Sequence, residues 1–344
     1  MVTKQAWRWP LAVAAFTVAL PASAGRVLTV PAIEALNATG GLQAHIVNQF
    51  SDPVGFAEAT SGAYIVLDRR QHTVYGINAK QTVVRKILQV GFETGKILQP
   101  AVLALSRDDI FAVADAPSGN ERIQYFTLEG TFLGGFYLQS RLAPRVVAGP
   151  VVLNGVGSMS FTGKTFLVSR PESGALFSEL DVQGAVVRHI GTLRPTGHER
   201  DRDLHVALNG GIALPDPTGG FYFVFQTGRP MFRKYDAAGT LLFERHVEGS
   251  ELDAQIQSLP LDWPARAPEA LPFVPPLIRT AAVDAGGRLW ISLVVPFTYV
   301  YDSRGEKTRT VQFHGASLVA PTTLFFAPRG RVLVTPGCYE FSTR

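Results

Sequence analysis

The sequence predicts an all-β protein, a single six-bladed β-propeller of four-stranded antiparallel blades that spans residues 43–344. A pattern of apolar stretch, turn, β-rich strand and hairpin recurs six times. The strand richest in β-branched and aromatic residues has six landmarks, Tyr64, Phe111, Phe166, Tyr222, Trp290 and Leu333. A unit of this size cannot bury both faces of its own sheet, so tandem copies must pack on one another. A β-sandwich or an open solenoid of six repeats is the alternative.

The first 24 residues have the features of a secretory signal peptide. Lys4 and Arg8 precede an apolar run from Leu11 to Leu20, and residues 22–24 read Ala-Ser-Ala, a typical cleavage site. We therefore expect a signal peptide at 1–24, a linker at 25–42, and secretion or periplasmic localisation. An uncleaved anchor is the competing interpretation.

Charge and cysteine content narrow the possible partners. The formal net charge is only +4, which does not favour a nucleic-acid partner. No segment after the signal is apolar for long enough to predict a membrane span. Cys338 is the only cysteine in the sequence, so an intrachain disulfide is excluded and a buried structural thiol is expected.

Short turns are predicted between the third and fourth strands of five repeats. Glycine as the second turn residue permits the positive φ that tight hairpins need. The turn pairs are Asn78-Ala79, Glu129-Gly130, Gln183-Gly184, Ala238-Gly239 and Arg304-Gly305. Fourth strands should follow, as in Val83–Ile87 and Leu241–Arg245.

The last repeat is incomplete. Leu324–Phe326, Arg331–Thr335 and Tyr339–Ser342 supply three strands, and a missing outer strand would leave an open edge. We expect the N-terminal segment Ala44–Phe50 to supply the fourth strand, so that an N-terminal strand closes the ring by pairing with the last blade.

Three connections between blades are long, at residues 138–152, 192–206 and 249–276. In a propeller these connections share one face of the disc, and such loops are where binding often occurs. The longest begins with a helical pattern over Ser250–Leu259 and continues with Trp263 and Phe273. It is interpreted either as a lid or as a surface excursion.

Basic residues gather at the same face. Arg69, Arg70, Arg170, Arg229 and Arg279 all fall near strand ends there, and converging guanidinium groups suit an anionic ligand. The alternative is internal pairing, because Asp68 and Asp115 end strands at the same level.

The repeat Pro53-Val-Gly-Phe-Ala57, followed by Gly62-Ala-Tyr-Ile-Val-Leu-Asp68, resembles the NHL-type repeat of the TolB-like six-bladed propeller superfamily. Asp284-Ala-Gly-Gly-Arg-Leu-Trp-Ile-Ser292 resembles it in the same way. Propellers of this kind include interaction scaffolds, peptide-amidating lyases and gluconolactonase/paraoxonase-like hydrolases, so the resemblance implies a fold and leaves the function open.

The calcium-dependent lactonases offer a comparison by residue. Their first metal ligand is a Glu, where this chain has Ser51 followed by Asp52. Asn154 and Asn209 are candidates for the middle ligand, and Arg279 falls where the last carboxylate belongs. A cation there would repel calcium, so no cofactor is predicted unless Asp52 and another carboxylate have rebuilt the site.

Other catalytic chemistry has little support in the sequence. The loop 197–205 contains His198, Asp201, Asp203 and His205 and could hold a metal, although charges of alternating sign also suit a solvated loop. No nucleophile elbow, phosphate-binding glycine loop or dinucleotide fingerprint occurs in a suitable context.

The favoured function is an exported binding protein or interaction scaffold that engages an unknown protein or a small anionic ligand on its loop-decorated face. The alternative is a metal-dependent hydrolase or lyase of the lactonase-like type. Catalysis is left undecided, and neither catalytic nor metal-binding residues are assigned. The candidate ligand-binding residues are Asp52, Asp68, Arg70, Asn154, Arg170, Asn209, Arg229 and Arg279.

Overall fold

Short antiparallel strands make up most of the chain in the computed structural model. The structure describes residues 33–138, 146–148, 151–152, 155–260, 263, 267 and 270–343. They belong to one compact unit, residues 32–344. The expected signal peptide and the first part of the expected linker lie outside the described residues.

The described chain begins with strand β1 (Ile33–Gly41) and the short helix α1 (Ala44–Val47). Two four-stranded sheets follow, each ordered along the sheet as in the chain. The first contains β2 (Pro53–Glu58), β3 (Tyr64–Asp68), β4 (Thr73–Ile77) and β5 (Val84–Leu88). The second contains β6 (Val102–Leu105), β7 (Ile110–Asp115), β8 (Arg122–Thr127) and β9 (Phe132–Tyr137).

A small hairpin, β10 (Val147–Ala148) and β11 (Val151–Val152), precedes two more sheets of the same kind. The third contains β12 (Ser158–Phe161), β13 (Thr165–Ser169), β14 (Ala175–Asp181) and β15 (Val186–Thr192). Helix α2 (Arg202–Leu208) leads into the fourth, with β16 (Gly211–Pro215), β17 (Phe221–Phe225), β18 (Met231–Tyr235) and β19 (Leu241–His246). Helix α3 (Asp253–Gln257) follows.

The remaining strands form one nine-stranded sheet. Its first half contains β20 (Ile278–Val283), β21 (Leu289–Leu293), β22 (Thr298–Tyr301) and β23 (Lys307–His314), with the short β24 (Leu318–Val319) on β23. Its second half contains β25 (Thr323–Ala327), β26 (Arg331–Thr335) and β27 (Tyr339–Ser342). Strand β1 joins the halves, parallel to β23 and antiparallel to β27.

The first strands of the repeats contact one another in a cyclic order. β2 contacts β6, β6 contacts β12, β12 contacts β16, β16 contacts β20, β20 contacts β25, and β25 contacts β2 again. Hydrophobic clusters fill the space between neighbouring sheets, as where Ile65 and Leu67 of β3 pack with Phe111 and Val113 of β7. The result is an all-β, propeller-like arrangement whose core lies between sheets.

Every strand landmark chosen from the sequence lies in the second strand of its repeat, in β3, β7, β13, β17, β21 and β26. These residues are fully or almost fully buried. β-Branched and aromatic side chains fit a strand covered on both faces, which is why the pattern located it correctly.

The prediction that residues 44–50 form the strand that closes the ring was wrong. Residues 44–50 do not form a strand, because Ala44–Val47 turns into α1 with Ile46 fully buried against the first and last sheets. The closing strand is instead β1, residues 33–41, which lie within the stretch assigned to the linker. The prediction that an N-terminal strand pairs with the last repeat was correct, because β1 pairs with β27.

The predicted turn glycines have positive φ at Gly130, Gly184, Gly239 and Gly305, between 80° and 90°. Each also packs on the outer strand of the preceding sheet. At Gly130, an added Cβ would lie 2.7 Å from the Ile87 carbonyl oxygen. Glycine is therefore needed for both backbone conformation and close packing.

The first sheet has no glycine at this position. Gln81 takes the same left-handed conformation, with φ of 56°. Its side-chain amide donates to the Gly41 carbonyl at 3.0 Å, and its Oε1 accepts from the Gln43 backbone N–H at 2.9 Å. The turn of the first sheet is thereby bound to the end of the closing strand.

Candidate functional site

The six inner strands surround a cavity of about 500 Å³. Residues from β2, β6, β12, β16, β20 and β25 all contribute to its wall. This volume lies within the range of about 300–1,000 Å³ that is usual for small-molecule sites. The cavity is the candidate functional site.

Charged and amide groups in the wall come from the beginnings of inner strands and the ends of second strands. Asp52 precedes β2 and Arg69 follows β3, while Gln226 follows β17 and Arg279 lies near the start of β20. Because the first two strands of each sheet are antiparallel, these positions share one end of the cavity. That end receives the connections between sheets, and we call it the polar mouth, defined by these four residues.

Asp52 and Arg69 neutralise each other at the polar mouth. The Arg69 Nε donates to Asp52 Oδ2 at 2.8 Å, and both side chains are only about a third or less exposed. The Arg69 backbone N–H also donates to the Asp52 carbonyl at 3.0 Å. The pair is thus held rigidly by both backbone and side chain.

Arg279 is a second cation in the wall. The register of β20 against β21 shifts between Ile278 and Thr280, so Arg279 occupies a β-bulge, a feature that re-aims a side chain. Its Nε and Nη2 donate to the Val294 carbonyl at 3.3 and 3.2 Å. Among the described residues no carboxylate lies within ion-pair distance of this guanidinium.

Gln226 holds the backbone at Arg279 in place through a hydrogen bond. It is buried, and its Nε2 donates to the Arg279 carbonyl at 3.1 Å. Its own carbonyl accepts from the Leu277 backbone N–H at 2.9 Å. The end of the fourth sheet's second strand is thus tied to the beginning of β20.

The other end of the cavity is apolar. Its wall is formed by residues from the later parts of the inner strands, Ala57, Leu105, Phe161, Leu214, Pro215, Ala282 and Phe325. Hydroxyl groups of Ser158, Ser160, Thr280, Thr322 and Thr323 lie earlier on the strands. The wall therefore changes from charged to apolar along its length.

Asp68, a candidate ligand-binding residue, is not part of the cavity wall. It is fully buried, and its carboxylate accepts from the backbone N–H groups of Ser51 at 2.6 Å, Asp52 at 3.2 Å and Gln71 at 3.0 Å. Asp115 is placed similarly, accepting from the Leu98 N–H at 2.9 Å and from the Arg122 guanidinium. Both aspartates hold the connection before an inner strand and are structural.

The arginines do not all converge as predicted. Arg69 and Arg279 line the cavity, whereas Arg70 and Arg229 are exposed and are not part of its wall. Arg170 is largely buried and lies 2.9 Å from Glu172 and 4.0 Å from Glu121. Arg170 is therefore paired internally with carboxylates, which is the alternative interpretation given above for the basic residues.

Asn209, a candidate ligand-binding residue, uses its side chain to bond the backbone around α2. It is fully buried; its Oδ1 accepts from the Arg194 N–H at 2.8 Å, and its Nδ2 donates to the carbonyls of His205 and Arg194. A buried amide with its bonds satisfied caps α2 and has nothing to offer a ligand. Asn154 lies outside the described residues.

The loop 197–205 uses its polar groups to start α2. Asp201 is the N-cap, accepting from the Leu204 N–H at 3.2 Å, and His205 Nδ1 lies 2.7 Å from the Thr196 hydroxyl.

In the long connection, α3 confirms the helical pattern, with Leu252 buried and Ile256 packed on the core. Phe273 is 69% exposed, and Trp263 packs beside α2.

The residues at the lactonase-like positions do not fit calcium. Asp52 is paired with Arg69, and the Asn209 side-chain oxygen already accepts from the Arg194 backbone N–H. Arg279 brings a positive charge to the wall. Across the described ranges, no group of three or more His, Cys, Asp or Glu could hold a metal ion. Hard cations prefer several oxygen ligands with net negative charge, which this wall does not provide.

Reasoning from the sequence located Asp52 and Arg279 in the cavity but missed most of its wall. Gln226 and the apolar residues Leu105, Phe161, Leu214 and Phe325 were not anticipated. The available signal was position: the apolar residues lie on inner strands and Gln226 follows a second strand, and the repeat locates both kinds of strand. None of the helices within the described part of the chain has the length and apolar character required to cross a membrane.

No family model matches the sequence, and no curated protein matches it either. Solved structures are similar in fold. Virginiamycin B lyase from Staphylococcus aureus is 10% identical with a TM-score of 0.51, over 86% of this chain and 95% of that chain. A protein of unknown function from Bacteroides thetaiotaomicron is 14% identical with a TM-score of 0.51, over 85% and 70%.

A streptogramin B lyase structure is 9% identical with a TM-score of 0.50, over 85% of this chain and 93% of that chain. The lyases are β-propeller proteins, so the similarity supports a propeller for this chain. Identity this low shows the fold alone.

Proposed function

We propose that this protein is an exported, six-bladed propeller of the NHL type that binds a small molecule in the cavity between its inner strands. The sequence left open a ligand, a partner protein or a metal-dependent reaction. The cavity favours the ligand, because it combines a ligand-sized volume with few, well-placed polar groups.

The count of six blades rests on two observations that agree. Six inner strands contact one another in a cycle, and hydrophobic clusters fill the spaces between successive sheets. In this interpretation the nine-stranded sheet is two blades joined at their outer edge by β1. Export rests on the signal-like sequence at 1–24, and the NHL assignment rests on the repeat motif.

The observation that carries the proposal is the continuity of the wall. All six inner strands contribute to one cavity, so residues from every repeat are available to a single ligand. Hydrogen-bonding groups at the mouth, including Gln226, are held by backbone contacts that are already made. A preorganised site loses little freedom on binding, which favours affinity.

Binding can be tested with N-phenyl-1-naphthylamine, a neutral dye that fluoresces in apolar surroundings. The wild-type mature protein should bind it saturably with one site per chain. Thr280→Trp places a large ring in the wall and should weaken binding by about tenfold or more, since the ring takes up space the dye needs. Thr94→Trp, at an exposed position, is the matched control.

Circular dichroism melting curves should show that both variants are folded. If Thr280→Trp is unstable, Val54→Trp offers a second change in the wall on another inner strand. Dye binding that is absent in the wild type, or that neither wall variant reduces, would contradict the proposal. Metal analysis of the purified protein tests the hydrolase or lyase alternative, which predicts a stoichiometric bound ion.

A further inference from the structure

We infer that the cavity selects an amphipathic monocarboxylate, a molecule with one carboxylate group and an apolar body. This inference rests on the proposed function and names the ligand class of the same site. It follows from the charge of the wall, from the unused bonding capacity of Arg279, and from the change in polarity along the cavity.

Among the residues that the structure describes, the wall has three charged side chains, two arginines and one aspartate. Arg69 and Asp52 form an ion pair, so the excess charge is that of Arg279. One uncompensated cation suits a single negative charge. A dianion would leave a charge unpaired beside Asp52, and a cationic ligand would meet Arg279.

Arg279 retains bonding capacity toward the cavity. Val294 accepts from Nε and Nη2, and within the described residues Nη1 has no hydrogen-bond acceptor. A guanidinium presents five N–H donors in one plane, which can bind both oxygens of a carboxylate. The Val294 carbonyl and the Gln226 side chain hold this residue in place before a ligand arrives.

The apolar end of the cavity fits the rest of such a ligand. Leu105, Phe161, Leu214 and Phe325 follow the polar mouth along the inner strands. A carboxylate at Arg279 would direct its aliphatic or aromatic part toward these residues, and the exposed surface of Leu105, Leu214 and Phe325 would be removed from water together with the ligand. A purely polar anion would leave this surface unused.

The test uses displacement of N-phenyl-1-naphthylamine by three ligands of equal chain length. Decanoate, decanol and decylamine carry a negative, a neutral and a positive head group on the same chain. Decanoate should displace the dye at a concentration about tenfold lower than decanol, because a hydrogen-bonded charge pair is stronger than a neutral contact. Decylamine should be the weakest.

Variants assign the preference to one residue. Arg279→Gln should abolish the advantage of decanoate over decanol, both measured on the same variant by dye displacement. Arg279→Lys should restore part of it. Arg70→Gln, which removes an exposed arginine outside the wall, should bind like the wild type.

The outcomes of these experiments separate a failure of the proposed function from a failure of the monocarboxylate inference. If the dye does not bind the wild-type protein, the cavity is not a ligand site and the proposed function fails. If the dye binds and decanoate is no better than decanol, the cavity binds apolar molecules and the monocarboxylate inference is wrong. The same conclusion follows if decanoate is preferred equally by folded Arg279→Gln.

Discussion

Glu34 and Arg309 form a bidentate ion pair across the parallel strands β1 and β23. Arg309 Nε lies 2.7 Å from Glu34 Oε2, and Nη2 lies 2.6 Å from Oε1. The same guanidinium stacks over the Trp290 ring at 5.1 Å. The pair fixes the register in which the first strand of the described chain joins the outer strand of the fifth repeat.

Replacing Glu34 with Gln should lower the free energy of unfolding at pH 7 by about 0.5–1 kcal/mol, the size expected for a partly exposed pair. The hydrogen bond from Arg309 lowers the pKa of Glu34, and burial partly opposes this. A lowered pKa in the folded state stabilises the protein above the pKa of the unfolded chain. That contribution is lost as the pH falls through the folded pKa.

The difference between wild type and Glu34→Gln should therefore be full at pH 7 and shrink below about pH 4, near the pKa of an unperturbed glutamate. Urea unfolding at several pH values measures it. Glu248→Gln provides a comparison at another glutamate that does not join β1 to β23. An undiminished difference at pH 3 would show that the effect is not ionic.

Gln81 should make a measurable contribution to ring closure. Gln81→Ala removes both bonds to the end of β1 and keeps the left-handed backbone, so stability should fall by about 1–2 kcal/mol. Gln81→Gly also removes the bonds but suits a positive φ, so it should be less destabilising than alanine by up to about 1 kcal/mol. Chemical unfolding of the two variants, with Lys80→Ala as the exposed neighbour, measures both effects.

If alanine and glycine at position 81 prove equally stable, the strain attributed to the backbone is absent. If neither variant differs from the wild type, the two side-chain bonds do not hold the closing strand.

Arg194 should be important for stability without contributing to binding. Its guanidinium donates to the carbonyls of Arg229 at 2.7 Å, Leu208 at 2.7 Å and Thr227 at 2.6 Å. Burial, with a smaller effect of Arg233, lowers the pKa of Arg194 to about 10. Arg194→Ala leaves these carbonyls without their donor and should cost about 2–4 kcal/mol.

Thermal melting of Arg194→Ala against Arg200→Ala, an exposed arginine of the same connection, tests this expectation. Dye affinity, measured well below the melting temperature, should stay unchanged because Arg194 is not in the cavity wall. Equal melting temperatures for both variants would contradict the structural role.

Cys338 should be unreactive in the folded protein. It is fully buried, and burial raises the pKa of its thiol to about 12. The thiolate is the reactive form, so at pH 8 almost none is available. A colorimetric disulfide reagent should report no accessible thiol per native chain and one after denaturation in guanidinium. Rapid labelling of the native protein would refute the buried position.

The repeat made most of the fold predictable, because strands buried on both faces need apolar side chains at every position. Tyr222 and Trp290 carry that signal directly. Strand β1 carries almost none: of its residues, Leu36 is the buried one, and its glycines and alanines have low strand propensity. Pairing with β23 and β27 imposes the extended conformation, and local sequence could not reveal it.

The candidate site shows the same limit. Arg279 was identified because it lies near a strand end with other basic residues and falls at a lactonase-like ligand position. Asp68 and Asn209 bond backbone N–H groups in the structure, and from the sequence an aspartate or asparagine near a strand end looks alike whether it serves a ligand or a backbone N–H. Only the partners of a polar group distinguish the two roles, and these come from distant parts of the chain.

The position of β1 has a consequence for how the chain reaches this structure. Ile33 pairs with Thr310 and Gly41 pairs with Tyr339. The first strand of the described chain can therefore pair only after strands near its end have been synthesised. Contacts this far apart in sequence slow folding, since a long loop must close before they form. The earlier sheets can assemble as they emerge, but this joint closes only after the residues of β27 have been synthesised. Until then β1, β23 and β27 expose strand edges, and a chaperone that shields such edges would have most to protect at this one joint.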